Sequence, residues 1–148
     1  MKLQELHPDS RLWLYQSNRE LTATELQWLN EQLDTFSNEW AAHGKNLKAG
    51  GGAVNSFFIG LAVDSTHESA SGCSIDSSVR FVKELAKELG VDFFNRLQIW
   101  SETEAEKVEL VPFNTLSKHP ESVVFNPMVD RLGDLETKFR IQANSLIS

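Results

Sequence analysis

The chain has 148 residues, of which 41% are hydrophobic and 24% are charged, and its formal net charge is −7. This acidic balance argues against a general nucleic-acid binder, which usually presents a basic face, and no run approaches the roughly 18 apolar residues of a membrane span. Because the start shows no apolar leader and a single cysteine cannot form an internal disulfide, we expect a cytoplasmic protein with no membrane or nucleic-acid partner.

The first predicted elements are a strand and an amphipathic helix. Residues 11–17, "RLWLYQS", carry apolar side chains on both faces, which is typical of a central strand. Thr22 followed by Glu25 predicts a helix start with a capping box, and apolar residues then recur every three or four positions. Gly44 directly after His43 predicts the end of this helix.

The rest of the chain predicts two strands, a second helix and two more strands. In order, these elements are expected at residues 47–54, 56–64, 74–89, 95–102 and 107–113. The first of these strands is weak because three consecutive glycines lower strand stability. An acidic turn that contains Glu104 joins the last two strands, and residues 114–148 hold only a short apolar run.

This order of elements predicts the fold class. A strand, a helix, two strands, a helix and a strand match the ferredoxin-like split βαβ pattern. We therefore expect one α+β domain over residues 1–148, with a ferredoxin-like βαββαβ core, one or two added strands, and both helices on one face of an antiparallel sheet. A different α+β sandwich is the main alternative.

Chain direction in this fold brings two distant segments together. The first helix would end, and the second would begin, at the same end of the sheet. Residues 40–45, "WAAHGK", and residues 71–78, "SGCSIDSS", are then neighbours. The sequence predicts its candidate functional site there.

One hypothesis for this site is thiol chemistry. Cys73 would lie at the start of the second helix, and a helix N-terminus or a nearby cation lowers the pKa of a thiol. His43, or His67 from the preceding loop, would serve as the base, and Asp76 would orient it. The charge of Asp76 opposes a thiolate, so the same residue also argues against this hypothesis.

The second hypothesis is an anion site, since a helix N-terminus with serine donors suits a phosphate or carboxylate. Trp40 would offer a flat platform beside it. The donors and cations available are Ser71, Ser74, Ser77, Ser78, Lys45, Lys48 and Arg80. A purely structural alternative has Ser74 as the helix cap, Cys73 as a small buried residue and Trp40 in the core.

Other motifs are absent from the sequence. The triple glycine belongs to no G-x-x-x-x-G-K-[ST] phosphate loop and no G-x-G-x-x-G dinucleotide motif. The four histidines lie far apart, with no H-x-x-x-H or C-x-x-C pair, so neither a metal nor a cofactor is expected.

Three stretches together resemble a known group. "RLWLYQSNRELT", "WAAHGKNLKA" and "SGCSIDSSVRFVKEL" are similar to segments of small uncharacterised bacterial proteins that automated annotation often labels ABC transporter ATPases. An ABC ATPase needs a Walker A loop to hold phosphates, and this chain has none. The resemblance therefore implies a bacterial family and no activity.

Taken together, the residues favour a small-ligand domain, either anion-binding or regulatory, with its site at the start of the second helix. The first alternative is a thiol-dependent enzyme that uses Cys73 with a histidine base. The second is a homodimeric interaction protein, because open sheets expose edges and faces that another copy covers.

Overall fold

The computed structural model describes residues 1–103 and 106–147. The helices are α1 (Ala23–Glu39), α2 (Gly72–Leu89) and α3 (Ala143–Ile147), with 3₁₀ turns at Leu3–Glu5, Phe113–Lys118 and Leu132–Leu135. The strands are β1 (Arg11–Gln16), β2 (Ala41–Ala42), β3 (Lys45–Asn46), β4 (Ala49–Asn55), β5 (Phe58–Val63), β6 (Gln98–Glu102), β7 (Val108–Pro112), β8 (Val123–Phe125) and β9 (Arg140–Gln142).

A three-stranded antiparallel sheet lies at the centre of the fold, in the order β1-β5-β4. Every residue of β5 is buried, so this strand is covered on both faces. Ile59 and Leu61 belong to one apolar cluster, whereas Phe58 and Ala62 belong to another. This alternation follows from the period of two in a strand, which sends successive side chains to opposite faces.

Both long helices pack against the first of these two clusters. Leu33 of α1 and Val82 of α2 are fully buried there, and the rings of Phe36 and Phe81 stack between the helices at 4.4 Å. Within the described residues, no helix has the length and apolar character needed to cross a bilayer. The α+β class is therefore confirmed, with two helices over one face of the central sheet.

The ferredoxin-like strand order is not formed, which corrects the prediction. In that order β6 would lie beside β1, but β6 instead pairs with β7 and β8 in a second sheet of order β7-β6-β8-β9. Trp100 explains the difference because its indole N–H donates to the Ser17 carbonyl at 2.8 Å and its ring packs on Phe57 at 4.2 Å. These contacts hold β6 over the second face of the central sheet. The acidic turn predicted between β6 and β7 includes Glu104, which lies outside the described residues.

The end of α1 also differs from the prediction. The helix stops at Glu39 rather than near Gly44, and β2 and β3 form a small hairpin in its place. His43 and Gly44 have φ of 53° and 76°, so both adopt the left-handed conformation. Two consecutive left-handed residues are the requirement of a type I′ hairpin turn.

The start of α1 carries an ion pair with a pH dependence. Glu25 completes the predicted capping box with Thr22, and Arg19 donates two hydrogen bonds to its carboxylate at 2.8 and 2.7 Å. Arg19 also donates to the Leu89 carbonyl at 2.9 Å, which ties the start of α1 to the end of α2. The Arg19 hydrogen bonds, and then the Thr22 backbone N–H, lower the pKa of Glu25 to about 2.

This ion pair leads to the first testable expectation. A carboxylate whose pKa is lowered by folding stabilises the protein above its ordinary pKa, and that stability is lost as the pH falls towards 2. We expect Glu25→Gln to reduce the free energy of unfolding by roughly 1 kcal/mol at pH 7, because solvent screens the half-exposed Arg19. Urea unfolding at pH 7, 4 and 2.5 should show this difference shrinking with pH. Glu31→Gln, at an exposed position of the same helix, is the matched control, and an equal pH trend in both variants would contradict the assignment.

Candidate functional site

The end of α1 and the start of α2 meet through one buried hydrogen bond. The indole N–H of Trp40, the residue directly after α1, donates to the Ser74 carbonyl in the first turn of α2 at 2.8 Å. Trp40 is only 3% exposed, and the rings of Trp13 and Phe36 lie 5.6 and 5.4 Å from its own. The two segments that the chain direction places together therefore do lie together. Trp40 itself belongs to the core, and its ring is not presented at the surface.

Helix α2 begins two residues earlier than predicted. Ser71 is its N-cap: its hydroxyl accepts from the Ser74 backbone N–H at 3.1 Å, and its own N–H donates to Ser74 Oγ at 2.6 Å. This is a capping box with serine where glutamate or glutamine is usual, a pattern visible in the sequence as S-x-x-S. Cys73 is consequently the second residue of the helix rather than a residue at its cap.

Most of the serine hydroxyls in this stretch bond to the helix itself. Ser74 donates to the Ser71 carbonyl at 2.8 Å, Ser77 to the Ser74 carbonyl at 2.9 Å, and Ser78 to the Ile75 carbonyl at 2.6 Å. Ser74 and Ser78 are also buried. These bonds satisfy the serine protons locally, so the donors left for a ligand come from the backbone.

Two backbone N–H groups are free at this end of α2. In residues 1–103 and 106–147, the N–H groups of Gly72 and Cys73 have no hydrogen-bond partner, and both residues are exposed. Unpaired N–H groups of the first turn, together with the helix dipole, give a helix N-terminus its affinity for anions.

The predicted cations are distributed unevenly around this turn. His43 and Lys45 are exposed on the β2–β3 hairpin, which packs against α2. Lys48 instead lies 3.7 Å from the Asp64 carboxylate, whose pKa is lowered by hydrogen bonds from Thr66 and then by the Lys48 charge. Lys48 is therefore held by Asp64. Lys45, which directly follows the hairpin turn, forms no ion pair among the described residues.

The predicted thiol constellation is open to solvent. Cys73, Asp76 and His67 are all exposed, as are His43 and Arg80. Among the described residues, no hydrogen bond joins Cys73 to a histidine, and no group of three or more His, Cys, Asp or Glu side chains is arranged to hold a metal ion.

Three cavities in the described part of the chain lie elsewhere. The largest, of about 680 Å³, is bounded by residues 1–5, α1 and the β4 glycines. Another, of about 390 Å³, runs along β1. The first turn of α2 lines none of these three. No local sequence pattern predicts these cavities, because they form between elements that are far apart in the chain.

Comparison with known proteins adds no identification. No protein-family model, no curated protein and no solved structure matches this chain. The resemblance to the group of small bacterial proteins therefore stays a prediction.

Proposed function

We propose that this protein is a cytoplasmic small-ligand-binding or regulatory domain that takes a phosphate- or carboxylate-bearing molecule at the first turn of α2. The supporting observation is the hydrogen bond from Trp40 to the Ser74 carbonyl, which fixes the β2–β3 hairpin beside this turn. In this proposal the exposed Lys45 of the hairpin supplies positive charge, and the turn supplies two N–H groups that have no partner among the described residues.

The electrostatics of this arrangement favour a small anion. The free N–H groups of Gly72 and Cys73 carry the positive end of the helix dipole, which attracts negative charge within the first turn. The negative charge of the exposed Asp76 opposes this attraction. Its carboxylate would accept a hydrogen bond from a hydroxyl group of the ligand but would repel a second anionic group. A ligand with one acidic group and neighbouring hydroxyls fits best.

An NMR titration with inorganic phosphate tests the proposal. We expect phosphate to shift the amide resonances of Gly72 and Cys73 more than those of other residues. Lys45→Gln should weaken the apparent affinity roughly threefold, the effect of one solvent-screened charge. The matched control is Lys118→Gln, which removes an exposed lysine from a 3₁₀ turn far along the chain. Equal weakening by both variants, or shifts confined to other residues, would contradict the proposal.

The exposure of Cys73 supports one further candidate, a thiol-dependent enzyme. A catalytic cysteine needs access to its substrate and a base to accept its proton. We expect iodoacetamide to alkylate Cys73 faster than free cysteine at pH 7, and His43→Gln to slow that reaction if His43 acts as the base. A Cys73 that reacts no faster than the free amino acid would remove this candidate and leave the anion-binding proposal intact.

A further inference from the structure

The two edge strands of the central sheet, β4 and β1, differ in how their outward-facing backbone groups are hydrogen-bonded. On the β4 side, the Gly51 N–H donates to the Met1 carbonyl at 3.2 Å and the Ala53 N–H donates to Asn30 Oδ1 at 2.8 Å. On the β1 side, the Leu12 N–H donates to the Asp130 carbonyl at 2.9 Å, and the pairing with residues 130–132 stops there. Among the described residues, the β1 edge is thus paired with another segment only at its beginning.

The register of β1 shows which backbone groups remain. The Leu12 N–H points away from β5, whereas the Ser17 N–H donates to the Phe57 carbonyl on the β5 side. Because backbone direction alternates along a strand, the N–H and carbonyl groups of the even-numbered residues of β1 point away from β5. Within the described residues, the N–H and carbonyl of Leu14 and the N–H of Gln16 have no hydrogen-bond partner. Leu14 is only 5% exposed, and buried backbone groups without a partner are rare in folded proteins.

Leu14 lines a groove along this edge rather than packing against a paired strand. The cavity of about 390 Å³ is lined along one side by Val79 and Phe94 and along another by Pro127, Met128 and Val129. The side-chain amide of Gln16 donates to the Gln98 carbonyl at 2.9 Å and marks the far end of this edge. The stretch without a paired strand on this side, residues 13–16, is about 13 Å long at roughly 3.3 Å per residue.

We propose that this groove binds an extended peptide segment of a partner protein, which pairs with β1 as an added antiparallel strand. A partner residue opposite Leu14 would exchange both N–H···O=C bonds with it, and the partner residue two positions before that one would accept from the Gln16 N–H. An extended peptide suits these groups because its main chain repeats donors and acceptors at the spacing of a strand. The apolar lining favours small apolar side chains at alternate positions of the peptide.

Two charges give the peptide its direction. Arg96 lies at the Gln16 end of the groove, where its guanidinium contacts the sulfur of Met128 at 3.7 Å, and Asp130 lies at the Leu12 end. Both side chains are exposed, and neither forms an ion pair within the described residues. An antiparallel peptide enters at the Arg96 end, so it should carry an acidic residue towards its N-terminus and a basic residue towards its C-terminus.

Exposed apolar residues near the groove agree with a macromolecular partner. Met128 is 66% exposed at the groove, and Leu97, next to Arg96 in the chain, is 81% exposed. The Leu97 carbonyl accepts from the N–H of Phe113, itself 40% exposed, so these two residues are neighbours. Exposed apolar side chains beside a groove are compatible with a protein partner that covers them.

Selection from a random library of displayed twelve-residue peptides against the full chain tests this proposal. We expect enriched peptides to alternate apolar and polar residues, with an acidic residue in the N-terminal half. A synthetic copy of one such peptide should slow hydrogen exchange at the Leu14 amide. N-methylation of the peptide residue opposite Leu14 should weaken binding by about tenfold, as should the surface variant Arg96→Glu with Met128→Lys. Lys118→Glu, a charge reversal elsewhere on the surface, should leave binding unchanged.

Three outcomes would overturn the proposal. The first is a selection that enriches no peptide, or only peptides that the groove variant binds as well as the natural chain does. The second is full binding by the N-methylated peptide, because it would exclude main-chain pairing. The third is a purified chain that is dimeric and becomes monomeric in the groove variant, which would assign the groove to a second copy.

Discussion

Trp40→Ala is expected to lower the free energy of unfolding by about 4 kcal/mol, the largest effect of any single change considered for this chain. The side chain is 3% exposed and contacts the rings of Trp13 and Phe36, so its removal leaves a cavity that rigid neighbours cannot fill. It also removes the hydrogen bond to the Ser74 carbonyl, which joins the two helices. Urea denaturation followed by circular dichroism measures the loss.

Two further variants separate the contributions to this effect. Trp40→Phe keeps most of the apolar contact but loses the indole N–H, and we expect a loss of roughly 1 kcal/mol beyond the change in volume. Trp28→Ala is the matched control because Trp28 lies within α1, which Trp40 directly follows, and is only half-buried. If Trp28→Ala destabilised the protein as much as Trp40→Ala, the assignment of Trp40 as the main contact between the end of α1 and the start of α2 would be wrong.

The Trp40 variants also bear on the proposed function. Trp40→Phe should loosen the β2–β3 hairpin from the first turn of α2, since the hairpin follows directly on residue 40. We therefore expect phosphate to bind Trp40→Phe more weakly than the natural chain, although neither Gly72 nor Cys73 has changed. Faster hydrogen exchange in the first turn of α2 would accompany this loss.

The elements that the sequence predicts well are those with local chemical signals. The capping box of Thr22 and Glu25 forms as expected because its two hydrogen bonds join residues three apart. Gly90 ends α2 with a left-handed φ of 66°, as a glycine after a helix commonly does. The strand predicted at residues 56–64 is observed at Phe58–Val63.

The hairpin after α1 was not predictable from the same signals. His43 followed by Gly44 is compatible with a helix C-terminus, and it is equally compatible with a two-residue hairpin turn, because both need left-handed residues. Tertiary contacts decide between them: Trp40 is buried against α2, and the Leu47 N–H donates to the Trp40 carbonyl at 2.8 Å. The chain must therefore turn back at once instead of continuing as a helix.

The position of β6 depends on a contact that no local pattern shows. An alternating strand pattern indicates which side chains share a face, but it does not indicate which strand lies alongside. The hydrogen bond from Trp100 to the Ser17 carbonyl, which spans 83 positions, holds β6 away from the β1 edge. The convergence at the candidate site was predictable because it needs only the alternating direction of β1, α1, β4, β5 and α2. The serine bonds within α2 were not, since they depend on side-chain rotamers.

Gly51→Ala is expected to lower the free energy of unfolding by about 2 kcal/mol. Glycine has a low intrinsic strand propensity, and the close packing at Gly51 explains why β4 nevertheless contains it. A Cβ at this position would lie 2.8 Å from Leu61 Cδ2 and 3.1 Å from Leu33 Cβ. Leu33 Cβ is fixed to the backbone of α1, and both leucines are fully buried, so the added methyl group pushes α1 away from the strand. Glycine here allows α1 to pack directly on the backbone of the strand.

Gly72→Ala is the matched control for this variant. No atom lies within 4 Å of the position that its Cβ would take, and the residue is the first of α2. Both variants replace one glycine by alanine, so the change in the entropy of the unfolded chain is common to them. We expect Gly72→Ala to stay within about 0.5 kcal/mol of the natural chain or to stabilise it slightly. Because the unfolded-state contribution cancels in this comparison, equal stabilities of the two variants would mean that α1 does not lie on β4 as closely as described.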